Sequence, residues 1–345
     1  MTMKSFLFTI GLLTLLSGGC KQKEEDQVPV PPLPRLTSDS IQIPRFDSDP
    51  NLDFPRTRSP KESTIAIPDF SLEPKLVFPP LGKAVSHQGG VAVHEVTLLR
   101  GKIPMKVWVY LPEKAPKGKL PCVLVPPAGS HLYTGLSLTE GDRKEHYPYA
   151  QAGFAVVAFD IDGALPDIEM PPDDLVFAAA TLLKDAQAGV ANMRAALHFA
   201  LEKVPNIDPE RIYIAGHSSA GTLALLATSY EPRIKACAAF APCTDVFARL
   251  APVLNDLDRG IPGFKYFIRV NSPLIRVGML KCPVILFHSI DDDNVPISES
   301  TTFVEALKKT NPEVTFVKTP RGGHTAPMFK EWIPQAIEWF KKLPK

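Results

Sequence analysis

The stretch Arg211-Ile-Tyr-Ile-Ala-Gly-His-Ser-Ser-Ala-Gly-Thr-Leu-Ala-Leu225 constrains this chain more than any other. Ile212, Tyr213 and Ile214 are the β-branched and aromatic residues of a short buried strand. Thr222, Leu223, Leu225 and Leu226, with alanines among them, continue as a buried helix. Between the two lie Gly216, Ser218, Ala220 and Gly221, so a serine stands at the tip of a turn whose neighbours have almost no side chain. A strand that passes directly into a helix this way holds the serine in a strained backbone conformation, which only small neighbours permit. The turn lifts the hydroxyl above the sheet edge and aims the following N–H groups at whatever it attacks, the layout of a nucleophile elbow. Two frames fit the spacing. Gly216 lies two residues before Ser218, directly after the strand, and favours Ser218; Gly221 lies two after Ser219 and leaves that serine as the alternative. A plain helix N-cap is the other role open to such a serine.

An elbow needs a sheet, and residues 84–345 supply one. Val91-Ala-Val-His-Glu-Val-Thr-Leu98 and Met105-Lys-Val-Trp-Val-Tyr-Leu111 alternate like two antiparallel strands about a turn at Gly101. Cys122-Val-Leu-Val125 and Phe154-Ala-Val-Val-Ala-Phe159 are continuous apolar runs, as strands covered on both faces must be. Residues 173–203 are rich in alanine and leucine, and Val190, Met193, Leu197 and Leu201 make one helical stripe. Ile234-Lys-Ala-Cys-Ala-Ala-Phe240, Pro283-Val-Ile-Leu-Phe-His288 and Val314-Thr-Phe-Val317 read as further strands. Phe329, Trp332, Ile333, Ile337 and Phe340 form the apolar face of a terminal helix. Strands alternating with helices after two antiparallel openers predict a mostly parallel sheet in a three-layer α/β domain.

The phrases Pro121-Cys-Val-Leu-Val125, Gly153-Phe-Ala-Val-Val-Ala-Phe-Asp160, Gly216-His-Ser-Ser-Ala-Gly221 and Cys282-Pro-Val-Ile-Leu-Phe-His288 resemble the α/β-hydrolase superfamily. Within it, they are similar to the dienelactone hydrolase, acetyl xylan esterase and prolyl oligopeptidase-like branch. The resemblance implies a serine hydrolase with its triad in the chain order Ser, acid, His. A serine hydroxyl is a weak nucleophile at neutral pH and needs a base oriented by an acid. Ser289-Ile-Asp-Asp-Asp-Asn-Val-Pro296 is similar to the family phrase H-G-x-x-D-x-x-V-P. It aligns Asp292 with the acid, with Asp291 and Asp293 one residue to either side; the other role of such a cluster is to cap a helix. His324, in Arg321-Gly-Gly-His-Thr325, matches the family's base, after the last strand and before the last helix. His217 and His288 read as structural. An oxyanion hole needs two N–H donors. Ser219 supplies one, and Ala128 in Pro126-Pro-Ala-Gly129 is the best-aligned second, ahead of Gly129. Where the family often reads H-G-x-x-G, the two prolines here have no N–H to donate.

Other function classes find little in the chain. Lys+Arg 38 against Asp+Glu 37 gives a net charge of +1, with no basic face for a nucleic acid. None of the five cysteines forms a C-x-x-C pair, and there is no phosphate loop or metal-spaced histidine pair, so neither metal nor cofactor is expected. Cys122, Cys237 and Cys282 lie in or at the start of strand-like runs and read as buried thiols, and a disulfide is open to Cys243. The expected substrate is a small ester. The alternatives are a short peptide, or no turnover at all in a catalytically weak binding protein on the same fold, which Pro126, Pro127 and Ala220 would permit. Residues 244–281 are expected to form a short cap. Phe247, Leu250, Leu254, Phe264, Tyr266 and Phe267 either line its pocket or pack on the sheet edge. Its four arginines (249, 259, 269 and 276) either meet an acidic substrate or stand in solvent. Nothing in the sequence fixes an oligomeric state.

Residues 1–20 read as an export signal: Lys4, then an apolar run over residues 6–16 that is too short to span a bilayer, then Ser-Gly-Gly-Cys20. Small residues before a cysteine resemble a bacterial lipoprotein signal, which makes a lipidated Cys20 the expected membrane contact. Ser17 stands where leucine is usual, and an ordinary secretory signal is the alternative. Twelve prolines over positions 21–80 interrupt backbone hydrogen bonding every few residues, so residues 21–83 are expected to form an extended tether.

Overall fold

The runs of unbroken apolar residues become the interior strands of one nine-stranded sheet. The computed structural model describes residues 76–114 and 118–344; the expected export signal, Cys20 and most of the tether lie outside them. The strands are β1 (Ser86–Gln88), β2 (Val91–Arg100), β3 (Ile103–Pro112), β4 (Leu120–Val125), β5 (Ala155–Phe159), β6 (Ile207–His217), β7 (Ile234–Phe240), β8 (Val284–Ser289) and β9 (Val314–Thr319). They lie in the order β1-β2-β3-β5-β4-β6-β7-β8-β9. The pairs β1–β2, β2–β3 and β3–β5 are antiparallel and every later pair is parallel. This is the mixed, mostly parallel sheet that the alternation of strands and helices predicts. The three-residue β1 was not legible beforehand, since all of its residues are exposed and carry no apolar pattern.

Helices on both faces explain why the interior strands read as continuous rather than alternating. Helix α1 (Arg143–Gln151) and the last helix, α8 (Ile333–Lys342), cover one face, where Tyr149, Ile333, Ile337 and Phe340 pack with Val123, Val156, Tyr213 and Ala238. Tyr213 and Phe340 stack with ring centroids 4.7 Å apart. Alternate residues such as Cys122, Leu124, Ile212 and Ile214 are fully buried on the opposite face. There α3 (Val190–Lys203) packs on β5, and α4 (Ser219–Tyr230) packs on β6 and β7. Each such aliphatic side chain contributes about 1.5–3 kcal/mol of burial. At one end of the sheet β9 is an edge strand, with only Thr319 of its six residues buried.

Residues 173–203 form two helices, and the stripe Val190, Met193, Leu197 and Leu201 lies within the second. Helix α2 (Asp173–Asp185) ends before Gln187, Ala188 and Gly189, whose φ values are 51°, 56° and 87°. The chain turns there because its backbone passes close to α4: a Cβ at Gly189 would stand 3.0 Å from Leu223 and 3.1 Å from Ile161.

Residues 244–281 fold as α5 (Val246–Gly260), α6 (Phe264–Val270) and a 3-10 turn at Val277–Met279. Asp245 starts α5 by accepting the Ala248 N–H at 3.0 Å, a side-chain N-cap. Of the six apolar residues expected either to line a pocket or to pack, Leu254, Phe264 and Phe267 join Val176, Ala180 and Tyr133 in a second core. Tyr266 is exposed, and Leu250 belongs both to that core and to the cavity described below. Helix α7 (Ile297–Leu307) joins β8 to β9. All four described cysteines are free thiols, Cys243 among them.

Candidate active site

Ser218 stands between the last residue of β6 and the first of α4 with φ 54° and ψ −122°. That left-handed conformation is rare for a residue with a Cβ and is held here by its surroundings. The Ser218 N–H donates to the Phe240 carbonyl at 2.8 Å, which ties the turn to β7. Its own carbonyl accepts the Thr222 N–H at 2.9 Å. A Cβ at Gly216 would lie 2.5 Å from the carbonyl carbon and oxygen of Ala220, and one at Gly221 would lie 2.8 Å from the Gly216 carbonyl oxygen. The turn therefore accepts a methyl at position 220, which is fully buried, and excludes one at 216.

The structure gives the two serines of the elbow different surroundings. Ser219 is buried, and its hydroxyl oxygen accepts the N–H groups of Gly129 at 2.9 Å and Ser130 at 3.0 Å. It thereby staples the loop after β4 to the elbow. Ser218 keeps an open side chain beside a cavity of about 100 Å³ whose lining includes Gly129, Ser130, Ser219, Leu250 and Asn294. A second, apolar cavity of about 40 Å³ shares Ser130, Leu132 and Ser219 with it and runs toward Leu223, Leu226 and Ile268.

The expected acid and base meet. His324 Nδ1 lies 2.8 Å from Asp292 Oδ2. A carboxylate only accepts, so Nδ1 carries the proton and Nε2 is left with its lone pair. That Nε2 is buried and has no partner among the described residues. His288 Nε2 reaches the Val295 carbonyl at 2.8 Å and Asp292 Oδ2 at 3.1 Å, so it too is a donor. The other carboxylate oxygen, Oδ1, accepts the N–H groups of Asn294 and Val295, each at 2.9 Å. Burial alone would raise the Asp292 carboxyl, but the hydrogen bonds from His288 and His324, the charge of His324 and the Val295 N–H outweigh it. The group is held well below the usual carboxylate range.

The neighbours of these residues have other tasks. Asp291 is exposed and accepts the N–H groups of Gly322 at 3.1 Å and Gly323 at 2.9 Å, which clamps the loop that carries His324. Asp293 is exposed. His217 Nε2 donates to the His324 carbonyl at 2.8 Å, and the two rings lie 4.7 Å apart. Burial, then the nearby His324, pushes His217 down to about 4, so it is neutral at physiological pH and serves as a donor. The clamps from Asp291, His217 and the Ser219 hydroxyl were not foreseen in the sequence, because each joins a side chain to backbone that only the fold brings near.

Of the two N–H groups considered in the loop after β4, that of Gly129 is engaged by Ser219. The Ala128 N–H has no partner among the described residues. Ser219 opens α4, where the first N–H groups of a helix have no intrahelical acceptor.

The chain is similar to several known proteins. The acetyl esterase Axe7A of Xylanibacter ruminicola is 25% identical over 184 residues, which cover 48% of this chain and 38% of the esterase. The acylaminoacyl peptidase of Pyrococcus horikoshii superposes with a TM-score of 0.56 at 19% identity, covering 74% of this chain and 41% of that one. The acetyl xylan esterase from Paenibacillus sp. R4 superposes at 0.53 with 17% identity, covering 74% and 86%. The two structural likenesses are likenesses of fold. The chain spans well under half the length of the first esterase and of the peptidase. The description of the prolyl oligopeptidase family matches residues 141–345, a segment that contains Ser218, Asp292 and His324. On that match and on its sheet order, the chain belongs to the prolyl oligopeptidase family of serine hydrolases, built on the α/β-hydrolase fold.

Proposed function

We propose that this chain cleaves a carboxylic ester, or a kindred acyl bond, through an acyl-enzyme on Ser218, with His324 as base and Asp292 as acid. The observation that carries the reading is the partnerless, buried Nε2 of His324, in a ring oriented from behind by Asp292. His324 Nε2 takes the Ser218 proton as the oxygen attacks the carbonyl, and Asp292 stabilises the imidazolium that forms. The oxyanion is met by the N–H groups of Ser219 and Ala128, each worth about 3–4 kcal/mol of transition-state stabilisation in such a hole. His324 returns the proton to the departing alkoxide. Water, deprotonated by the same nitrogen, then releases the acid and restores Ser218. The apolar cavity of about 40 Å³ beside Ser219 has room for a short acyl chain.

The test is labelling with a fluorophosphonate probe together with a panel of short-chain esters and matched peptide amides. Rapid labelling of Ser218 and turnover of an ester, both lost in a folded Ser218→Ala variant, are expected. Failure of the wild type to react with the probe would leave a binding protein on this fold. Turnover of amides ahead of esters would make the chain a peptidase.

We further propose export with a lipid anchor on Cys20, a reading that rests on residues 1–20 alone. Cys20→Ser should move the protein from the membrane fraction to the soluble extracytoplasmic fraction. A wild type that is already soluble there, with its amino terminus beyond Cys20, would leave a simple secretory signal.

A further inference from the structure

The cavity beside Ser218 has one charged wall. Among its lining residues the only ionised side chain is that of Arg249, on the first turn of α5. His131, also in the lining, is held below the usual histidine range by burial. Arg249 Nη1 donates to the Asn294 carbonyl at 2.8 Å, and Nη2 donates to Oδ1 of the same residue at 2.9 Å. These are neutral acceptors, and they use two of the five N–H donors of a guanidinium. Among the described residues Arg249 makes no ion pair. The Glu299 carboxylate behind it is turned to the N–H groups of Thr244 at 2.8 Å and Asp245 at 3.3 Å. The other arginines of residues 244–281 are placed differently. Arg259 bonds Asp256, Arg269 lies over Phe247, and Arg276 is buried against Tyr230; none of these lines the cavity.

Asn294 also fixes where the charge sits relative to the chemistry, because its N–H is bonded to the Asp292 carboxylate. The guanidinium is thus registered to the acid loop and shares a cavity with Ser218. A cation held there by neutral hydrogen-bond partners, with the Glu299 carboxylate near enough to feel its charge but not in contact, has lost part of its hydration, and an anion arriving in the cavity recovers that loss.

We propose that Arg249 selects substrates that carry an anionic group, a carboxylate foremost, a short distance from the scissile carbonyl. The proposal rests on the reading of Ser218 as nucleophile and adds to it a substrate class: acidic short-chain esters. Arg249 is one partner of a two-point attachment, with the carbonyl oxygen held at Ser219 and Ala128 and the anion held at the guanidinium.

The experiment compares kcat/KM for two pairs of esters, each pair differing only in a carboxylate replaced by a carboxamide. One pair carries the group on the acyl side and the other on the alcohol side. The wild type should favour the carboxylate of at least one pair about ten- to a hundred-fold, the range for a hydrogen-bonded charged pair. The preference should lie mainly in KM and should shrink as salt approaches about 1 M, where screening is nearly complete. In Arg249→Gln the ratio should fall toward one, and Arg249→Lys should be intermediate, since it keeps the charge without the planar fork. A ratio cancels any general loss from disturbing Asn294, and the salt series needs no variant at all. A wild type indifferent to the carboxylate in both pairs overturns the proposal, as does a preference that survives in Arg249→Gln. Either result leaves the role of Ser218 untouched, because that role is tested separately by labelling and by Ser218→Ala.

Discussion

At Asp292 four hydrogen bonds converge on one carboxylate, two from imidazoles and two from backbone N–H groups. An amide in its place would have to turn its NH₂ group toward donors, or toward the ring it must orient. Asp292→Asn is therefore expected to lower kcat by about three to four orders of magnitude, as loss of an orienting acid does elsewhere. Asp293→Asn should stay close to wild type. Asp291→Ala loses two bonds to the loop that carries His324 and should cost about ten-fold, a positioning effect of moderate size. Steady-state kinetics on one ester ranks the three, and equal losses at all three would refute the distinction drawn among them. At this scale the sequence offered candidates by residue type and order, because Ser218, Asp292 and His324 stand after β6, β8 and β9 in the order the resemblance implies. It could not reveal that Ser219 spends its hydroxyl on the loop after β4, since those partners lie about ninety residues away along the chain.

Among the elements, the elbow was readable because the tightest contacts that demand its small residues are local. Its small residues avoid atoms only four or five positions away, as Gly216 and Ala220 show. Gly216→Ala sets a methyl against backbone rather than against a side chain that could rotate. It should lower stability by about 1–3 kcal/mol, the usual cost of overpacking, and lower activity more steeply by displacing Ser218. Denaturant midpoints beside kcat/KM would measure both, and a fully active Gly216→Ala variant would show that the turn is looser than its spacing implies. The break between α2 and α3 was not readable. Helical periodicity continues across it, and the reason for the turn is the approach of α4, a neighbour in space only. Residues 244–281 divide the same way. Their apolar residues were visible, whereas their division into two helices was not, and which of those residues meet the cavity depended on where α2 lies.

For the whole molecule, the strand sequence predicted a mostly parallel sheet and the resemblance predicted the superfamily, while β1 escaped because an exposed edge ribbon has no apolar signature. The sheet also divides the proposed catalytic residues unequally. Ser218 and Ala128 follow β6 and β4, adjacent strands near its middle, whereas His324 follows β9, the sparsely buried strand at its border. Borders of sheets open at lower free energy than their centres. Function should therefore be lost before architecture. In a urea titration the inactivation midpoint is expected below the midpoint of the far-ultraviolet circular dichroism transition. Amides of β9 should exchange with deuterium sooner than those of β6, and loss of both signals together would mean that the border and the centre melt as one. A bound anion or acyl group that steadied His324 would narrow the gap between the two midpoints, so the protein's working range would be set by occupancy as much as by its core.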